Sequence, residues 1–213
     1  MADCCDPEDL QSVFTRRFAR RTAKRYLTHG LSPAAARIVQ FVTDQELQGA
    51  SVLEIGGGVG QIQVELLRRG ASHITNLELS TQYEDEAARL LADTGLAERV
   101  DRRFLDIARE PHRVDSADVV ILHRVVCCYP DYHALLAAAA QHATRLLVYS
   151  HPPDTPVTRT VTWSENLAHR LRGNTFRGHV HDPAAMLASA EAGGMQMAYH
   201  HHSRDWDVVG LVR

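Results

Sequence analysis

Residues 51–60, SVLEIGGGVG, identify the central unit of the predicted fold. A short apolar strand runs directly into a glycine-rich turn, and an amphipathic helix is predicted over residues 61–69. Glycines in such a turn permit positive φ angles and let the backbone approach a ligand closely. The N-terminus of the following helix presents unpaired N–H groups. The stretch therefore predicts a strand–turn–helix unit that binds a nucleotide-like ligand.

The spacing of the glycines argues against a pyrophosphate ligand. A dinucleotide fingerprint has the pattern G-x-G-x-x-G, and its third glycine would fall here at Gln61. Glu54 precedes the turn by two positions and would repel a phosphate but attract an ammonium group. The turn thus suits a ligand with one cation and no phosphate. Its glycines are Gly56, Gly57, Gly58 and Gly60.

Strands and helices alternate along the chain around this unit. Strands are predicted over residues 51–55, 74–79, 100–105, 117–122 and 145–149, and two more, without a helix between them, over 195–201 and 206–212. This order predicts an α/β fold with a Rossmann-like, mostly parallel sheet of seven strands, an antiparallel element at one edge and helices on both faces. Ligands bind beyond the carboxyl ends of such strands.

Two helices are predicted before the sheet. Residues 9–28 combine an apolar stripe at helical spacing with an arginine-rich remainder. The second helix begins after Ser32, which is a favourable N-cap, and has Pro33 at its first position.

Acidic residues follow the second and third predicted strands. Glu78 ends the second strand, where a carboxylate can accept hydrogen bonds from both hydroxyls of a ribose. Asp106 follows the third strand and could bind an exocyclic adenine amine, with Ile107 packing on the ring. Leu79 is expected in the same cofactor site.

Together, Glu54 with its GxGxG turn, Glu78, the Leu105–Asp106 pair and the apolar strand at residues 118–122 resemble the class I S-adenosylmethionine-dependent methyltransferases. The resemblance implies S-adenosyl-L-methionine as the cofactor and a seven-stranded sheet whose last strand is antiparallel. It also implies a helical lid at residues 1–45 and a methyltransferase domain at 46–213. A weaker resemblance, carried by HRVVCCYPD at residues 123–131 and HPP at 151–153, is to magnesium-protoporphyrin O-methyltransferase-like proteins.

Methyl transfer needs an aligned nucleophile and in some cases a base, for which histidine is well suited. Among 13 histidines, His123 and His151 follow the fourth and fifth predicted strands at the ligand edge, so both are predicted to be catalytic. The alternative for each is a packing role. His123 is also expected to contact the cofactor. Tyr129, in the loop after the fourth strand, is a third catalytic candidate, and Arg124 in that loop is expected to bind substrate.

Residues 152–182 form a predicted substrate cap between the fifth strand and the last helix. Its aromatic and arginine side chains suit a planar or carboxylated small molecule. The members expected to bind substrate are Arg159, Trp163 and Arg177. The alternative is that they are surface side chains of one amphipathic helix.

The amino-acid composition limits the classes of partner and the cellular location that we expect. The net charge of −3 offers no general attraction for nucleic acid, and no apolar run reaches the roughly 18 residues of a membrane helix. The start, MADCCDPEDL, lacks the apolar region of a signal peptide. Adjacent cysteines, Cys4–Cys5 and Cys127–Cys128, rarely bridge each other, which favours a reducing cytoplasm. Arginine in place of lysine suggests a bacterial source with a GC-rich genome.

No metal is expected, because neither C-x-x-C nor H-E-x-x-H spacing occurs. His200 and His202 could nevertheless share one face of a strand, where side chains alternate.

Three functions are compatible with the residues. The leading hypothesis is methyl transfer from S-adenosylmethionine to a small-molecule acceptor, with oxygen as the default acceptor atom. The second is a non-methylating protein or regulatory subunit that binds the same cofactor. The third, an NAD-dependent oxidoreductase, is disfavoured by the GxGxG spacing and by Glu54.

Overall fold

The computed structural model describes residues 7–213, with side chains from Leu10 onward. The Cys4–Cys5 pair and the first residues of the predicted lid lie outside the described residues. Over residues 7–213, seven strands form one sheet: β1 Ser51–Ile55, β2 His73–Glu78, β3 Val100–Phe104, β4 Ala117–His123, β5 Ala143–His151, β6 Gln196–His201 and β7 Asp207–Val212.

The strand order is β3-β2-β1-β4-β5-β7-β6. Strands β1 to β5 pair in parallel, whereas β7 lies between β5 and β6 and runs antiparallel to both. The predicted Rossmann-like class and its antiparallel element are confirmed. The element consists of an inner strand, β7, and an edge strand, β6.

Eight α-helices flank the sheet in the described part of the chain: α1 Pro7–Val13, α2 Arg16–His29, α3 Pro33–Asp44, α4 Gln61–Arg68, α5 Glu84–Thr94, α6 Tyr132–His142, α7 Pro156–Leu171 and α8 Pro183–Glu191. Over residues 7–213, none combines the length and the hydrophobicity needed to cross a bilayer. The single helix predicted over residues 9–28 is wrong. The chain breaks after Val13, because the hydroxyl of Thr15 caps α2 by accepting a hydrogen bond from Phe18 N.

Apolar residues alternate between the two faces of the central strands. In β4, Val120 and Leu122 pack on the side covered by α6 and α8, while Val119 and Ile121 pack on the side covered by α3 and α4. The inner strands are therefore buried on both faces, as expected for a parallel sheet between helical layers.

Two strands extend further than predicted. Strand β4 includes His123, and β5 continues to His151 rather than ending at Tyr149. Both histidines consequently lie at strand ends, held by the sheet, rather than in loops.

Gly210 in β7 makes room for the docking of α3. An added Cβ at Gly210 would lie 2.5 Å from Cε1 of Phe41. The Phe41 ring is buried and stacks on Tyr199 at a centroid distance of 4.9 Å, so it has little freedom to move.

We therefore expect Gly210→Ala to lower the free energy of unfolding by about 1–3 kcal/mol through overpacking, measured by denaturant unfolding. Gly178→Ala is the control, since its added Cβ would make ordinary van der Waals contacts, with Thr162 Cγ2 at 3.5 Å and Asn166 Oδ1 at 3.8 Å. Equal stability of the two variants would show that Phe41 can move aside.

Candidate active site

A cavity of about 910 Å³ opens at the carboxyl ends of β1, β2 and β4. Ligand sites span about 300–1,000 Å³, so this cavity has room for a cofactor and an acceptor. Side chains of α2 and α3 form one wall, and residues 203–206, between β6 and β7, form another. The N-terminal helices thus lie where a lid would have to lie, and the lid itself stays a prediction.

The glycine turn forms the floor of the cavity. Gly56, Gly58 and Gly60 have φ angles of 68°, 57° and 86°, in the left-handed region that favours glycine. Gly56 N donates to Leu77 O at 2.7 Å, which attaches the turn to β2. Gly56, Gly57 and Gly58 line the cavity, whereas Gly60 caps α4 outside it.

Gly57 covers a buried polar network that the sequence analysis missed. Its N–H donates to Asn76 Oδ1 at 3.1 Å. Gln63 Nε2 donates to the same oxygen at 2.9 Å and to Glu54 Oε2 at 2.8 Å. A Cβ on Gly57 would lie 2.5 Å from both Gln63 Nε2 and Glu54 Oε2. The available signal was the presence of amides at otherwise apolar positions of a strand and a helix.

Glu54 is the most confined acid of the site. Its side chain is 2 % exposed, and burial raises its pKa to about 7. The hydrogen bond from Gln63 and the charge of Arg102 oppose that shift. A cationic group entering the cavity would favour the ionised form of Glu54, which is the property expected of a partner for the cofactor's ammonium.

Glu78 is held by backbone donors. Its Oε1 accepts from Gly58 N at 2.7 Å, and its Oε2 accepts from Leu79 N at 3.1 Å. Burial raises the pKa of Glu78, and these N–H groups and Arg102 oppose the effect. Arg102, a second residue that the sequence analysis missed, also donates to Gly58 O at 3.0 Å. The carboxylate is therefore fixed beside the turn, where a ribose would lie.

Asp106 is positioned by a predicted catalytic residue. Its Oδ2 accepts from the hydroxyl of Tyr129 at 2.9 Å, and its Oδ1 accepts from Ala108 N at 3.0 Å. Asp106, Ile107 and Tyr129 all line the cavity, as does Leu79. The hydroxyl of Tyr129 thus contacts the proposed adenine site, and its catalytic role stays a prediction.

His123 lies at the end of β4 on the cavity wall. Its Nδ1 is 2.9 Å from Ser150 Oγ, which also accepts a hydrogen bond from Arg124 N at 3.0 Å. Burial lowers the pKa of His123 to about 3, so the imidazole is neutral near pH 7. Arg124 has a left-handed φ of 62° and places its guanidinium 4.6 Å from the centroid of the Trp206 ring.

The cap residues predicted to bind substrate do not line the cavity. Arg159 is exposed and forms an ion pair with Asp154 at 2.5 Å. Trp163 is 65 % exposed, and Arg177 donates to Phe176 O at 2.6 Å. The part of the cap that lines the cavity is apolar and belongs to α7, chiefly Val157 and Val161. The substrate roles of these three residues stay predictions.

His151 also lies outside the cavity. It is 2 % exposed, its Nδ1 is 3.0 Å from Pro152 O, and burial lowers its pKa. Its catalytic role stays a prediction. The side chains that share its surroundings include His200 of β6 and Asp207 of β7, whose ligand atoms lie within 4.8 Å of its own.

Arginines that the sequence analysis did not assign face the cavity instead. They come from α2, α3 and the β6–β7 loop, and within the described chain no ion pair or side-chain hydrogen bond engages their guanidinium groups. The pKa of Arg124 is lowered, first by burial and also by the nearby charge of Arg25, so these two cations share one region. The unassigned arginines are Arg21, Arg25, Arg37 and Arg204.

Known proteins share this fold and its central domain. Residues 52–147 match the family described as a methyltransferase domain. No curated protein sequence matches the chain.

Solved structures give the same result for the fold. The magnesium protoporphyrin IX methyltransferase from Synechocystis PCC 6803, with bound SAH, aligns with a TM-score of 0.76 at 19 % identity, over 98 % of this chain and 100 % of that one. An O-methyltransferase family protein from Burkholderia thailandensis gives 0.67 at 18 % identity, over 94 % and 63 %. An O-methyltransferase family 2 protein from Planctomyces limnophilus, in complex with apigenin, gives 0.64 at 14 %, over 92 % and 61 %.

The raised pKa of Glu54 makes cofactor binding depend on pH. Below pH 7 the protonated Glu54 must release its proton to accept an ammonium group. The affinity for S-adenosylhomocysteine should therefore fall by about five- to tenfold between pH 7.5 and pH 6.0. Calorimetry in buffers of different ionisation enthalpy measures both this affinity and the accompanying proton release.

Glu54→Gln is the matched variant for this prediction. It should bind S-adenosylhomocysteine weakly and with a flatter pH profile, because the titrating carboxyl has been removed. Proton-neutral binding at pH 6.0 by the unchanged protein would contradict the assignment of Glu54 as the ammonium partner.

Proposed function

We propose that this S-adenosylmethionine-dependent methyltransferase, whose residues 52–147 match a methyltransferase domain, methylates a carboxylate oxygen of a small planar acceptor. The observation that carries the proposal is the division of one cavity into an acidic part at the glycine turn and an arginine-lined part beneath the N-terminal helices. The acidic part suits the cofactor, and the arginine-lined part suits an anion.

In the cofactor part, each acid has a distinct partner in S-adenosylmethionine. Glu54 would accept from the ammonium, Glu78 from the ribose hydroxyls and Asp106 from the adenine amine. One arginine of the wall, such as Arg37 of α3, would pair with the cofactor's own carboxylate. The remaining guanidinium groups are then in excess of what the cofactor needs.

In the acceptor part, Arg25 and Arg124 bring two positive charges into one region, and Asp205, which also lines the cavity, offsets part of the charge of Arg124. Such like-charge pairs are unfavourable unless an anion binds between them, and guanidinium groups bind carboxylates bidentately. Trp206, under the Arg124 guanidinium, adds an aromatic surface for a flat ring. The apolar side of the cavity at α7 would cover the rest of the acceptor.

The chemistry of a carboxylate acceptor agrees with the state of His123. A carboxylate oxygen attacks the methyl carbon in line, the carbon–sulfur bond breaks, and its electrons neutralise the sulfonium. No proton moves, so no base is required. A hydroxyl acceptor would need a base with a pKa near the operating pH, whereas the pKa of His123 is about 3.

His123 would then orient the acceptor rather than deprotonate it. Because Ser150 Oγ accepts from Arg124 N, its own proton can be donated to Nδ1 of His123, which leaves a proton on Nε2. A neutral imidazole in that state donates one hydrogen bond from Nε2 to an acceptor oxygen. We therefore propose that His123 positions the acceptor and does not act as a base.

The names of proteins with a similar fold support a planar acceptor. The proteins of similar fold include one named for magnesium protoporphyrin IX and one solved with apigenin, both of which are flat ring systems. An open cavity with space beside the cofactor also favours turnover over a protein that only binds the cofactor. A bacterial cytoplasm stays our proposal for the location, supported by the arginine-rich, lysine-poor composition and the adjacent cysteines.

The test is a methyl-transfer assay with radiolabelled S-adenosylmethionine and matched acceptors. Benzoate, cinnamate and magnesium protoporphyrin IX supply carboxylates, and benzyl alcohol and phenol supply neutral oxygens of similar shape. We expect turnover of at least one carboxylate and of neither neutral compound. Arg25→Gln should lower kcat/KM for that acceptor by about 10- to 100-fold, the loss of one charged hydrogen-bonding partner, with cofactor affinity unchanged.

Arg113→Gln is the control, since Arg113 is exposed and paired with Glu110 outside the cavity. It should leave kcat/KM unchanged. Turnover restricted to the neutral acceptors would refute the assignment of the carboxylate to the α2 side of the cavity. A loss of kcat/KM in Arg113→Gln equal to that in Arg25→Gln would refute it as well.

A further inference from the structure

A second cluster of polar side chains lies outside the cavity, where β5, β7 and β6 meet at one end. His151, His200 and Asp207 each turn one ligand atom toward the others, and these atoms all lie within 4.8 Å of one another. Strand pairing brings them together, because His151 is the register partner of Asp207 and β6 pairs with the other side of β7. Neither the cofactor nor the acceptor proposal uses this cluster.

His151 carries a buried nitrogen that has no partner in the protein. Its Nδ1 is 3.0 Å from Pro152 O, and a carbonyl can only accept, so the proton is on Nδ1. Nε2 therefore presents a lone pair, and it is buried with no hydrogen-bond partner. An unsatisfied buried polar atom is costly. A histidine whose other nitrogen donates to a backbone carbonyl is the usual form of a metal ligand.

Asp207 is likewise held in place. It is 4 % exposed, its Oδ1 accepts from Ser203 N at 2.9 Å, and its Oδ2 is 3.0 Å from His202 Nδ1. Since a carboxylate accepts, His202 donates to it. These bonds orient the carboxylate and leave it lone pairs for a cation, as supporting hydrogen bonds do in metal sites.

His200 supplies an adjustable third group. It is exposed on the edge strand β6 and alternates with His202, whose ring centroid is 3.9 Å away. Ligand atoms of a tetrahedral site with bonds of about 2.1 Å lie about 3.4 Å apart. Rotation of an exposed histidine can close the present separation without moving the buried pair.

We propose that His151, His200 and Asp207 bind a divalent transition-metal ion of the Zn²⁺ type. Two imidazoles and one carboxylate are a known ligand set for zinc, and three protein ligands leave a fourth position open. The ion would join β5, β7 and β6 at the base of the loop at residues 202–206. That loop carries Arg204 and Trp206 into the cavity wall, so the ion would steady one side of the acceptor region.

The full-length protein, stripped with a chelator, is titrated with Zn²⁺ by calorimetry and with Co²⁺ by visible absorption. We expect one equivalent of either metal, with the absorption of four-coordinate Co²⁺, and a higher Tm with Zn²⁺ because the ion binds the folded state. His200→Ala and Asp207→Asn should each weaken Zn²⁺ binding at least tenfold. No cofactor or acceptor is present, so the result is independent of the proposed methyl transfer.

His201→Ala is the matched control, because His201 belongs to the same run of histidines but not to the cluster. It should bind Zn²⁺ like the unchanged protein. His200→Ala removes an exposed side chain and keeps the test valid if Asp207→Asn does not fold. The proposal is overturned if the folded protein takes up no stoichiometric metal. Chelation of Zn²⁺ by surface histidines alone would also overturn the proposal. In that case His200→Ala and His201→Ala would lose Zn²⁺ affinity equally, and Asp207→Asn would lose none.

Discussion

Burial of the Glu54 carboxylate at the end of β1 is the constraint around which this site is organised. Removing a carboxylate from water is unfavourable, and the pKa of about 7 records that cost. The neighbours partly offset it: Gln63 donates to the carboxylate, and Asn76 accepts from both Gln63 and Gly57. This packing requires glycine at position 57, because a Cβ would displace the network.

The same constraint connects the fold to ligand binding. A parallel sheet brings the ends of β1, β2 and β4 to one edge, where Glu54, Glu78 and His123 face a common cavity. The site holds two buried acids, Glu54 and Glu78, whose pKa values are raised. A ligand with an ammonium group and hydroxyl donors would relieve both. The residues proposed to bind the cofactor thus lower the stability of the fold, a common relation between stability and function.

The proposed cofactor end of the cavity could be predicted because the residues that form it are close together in the sequence. Residues 51–78 contain a strand, the glycine turn, a helix and a second strand that ends in Glu78. The structure has these elements in that order. The buried amides of Gln63 and Asn76 could not be predicted, since their partners depend on how α4 packs on β2. The sequence also predicted a single helix over residues 9–28, and the cap formed by Thr15 divides it.

The arginine-lined end of the cavity, which we propose binds the acceptor, could not be predicted from the sequence. Arg25 comes from α2, Arg124 from the loop after β4 and Arg204 from the β6–β7 hairpin, and only the tertiary packing brings these segments to one cavity. The cap arginines had the right chemistry but face solvent or backbone carbonyls. Similarly, the pairing of β5 with β7 unites His151 with Asp207 across more than 50 residues of sequence, beyond the reach of any short metal-binding motif.

Calorimetric titration of the protein and of Glu78→Ala with S-adenosylhomocysteine, with NADH as the comparison ligand, probes the cofactor site most directly. We predict saturable one-to-one binding to the unchanged protein, a loss of about 1–3 kcal/mol in Glu78→Ala and no heat with NADH. Absence of S-adenosylhomocysteine binding, or equal affinity in Glu78→Ala, would contradict the assignment of the glycine turn and its acids to this cofactor.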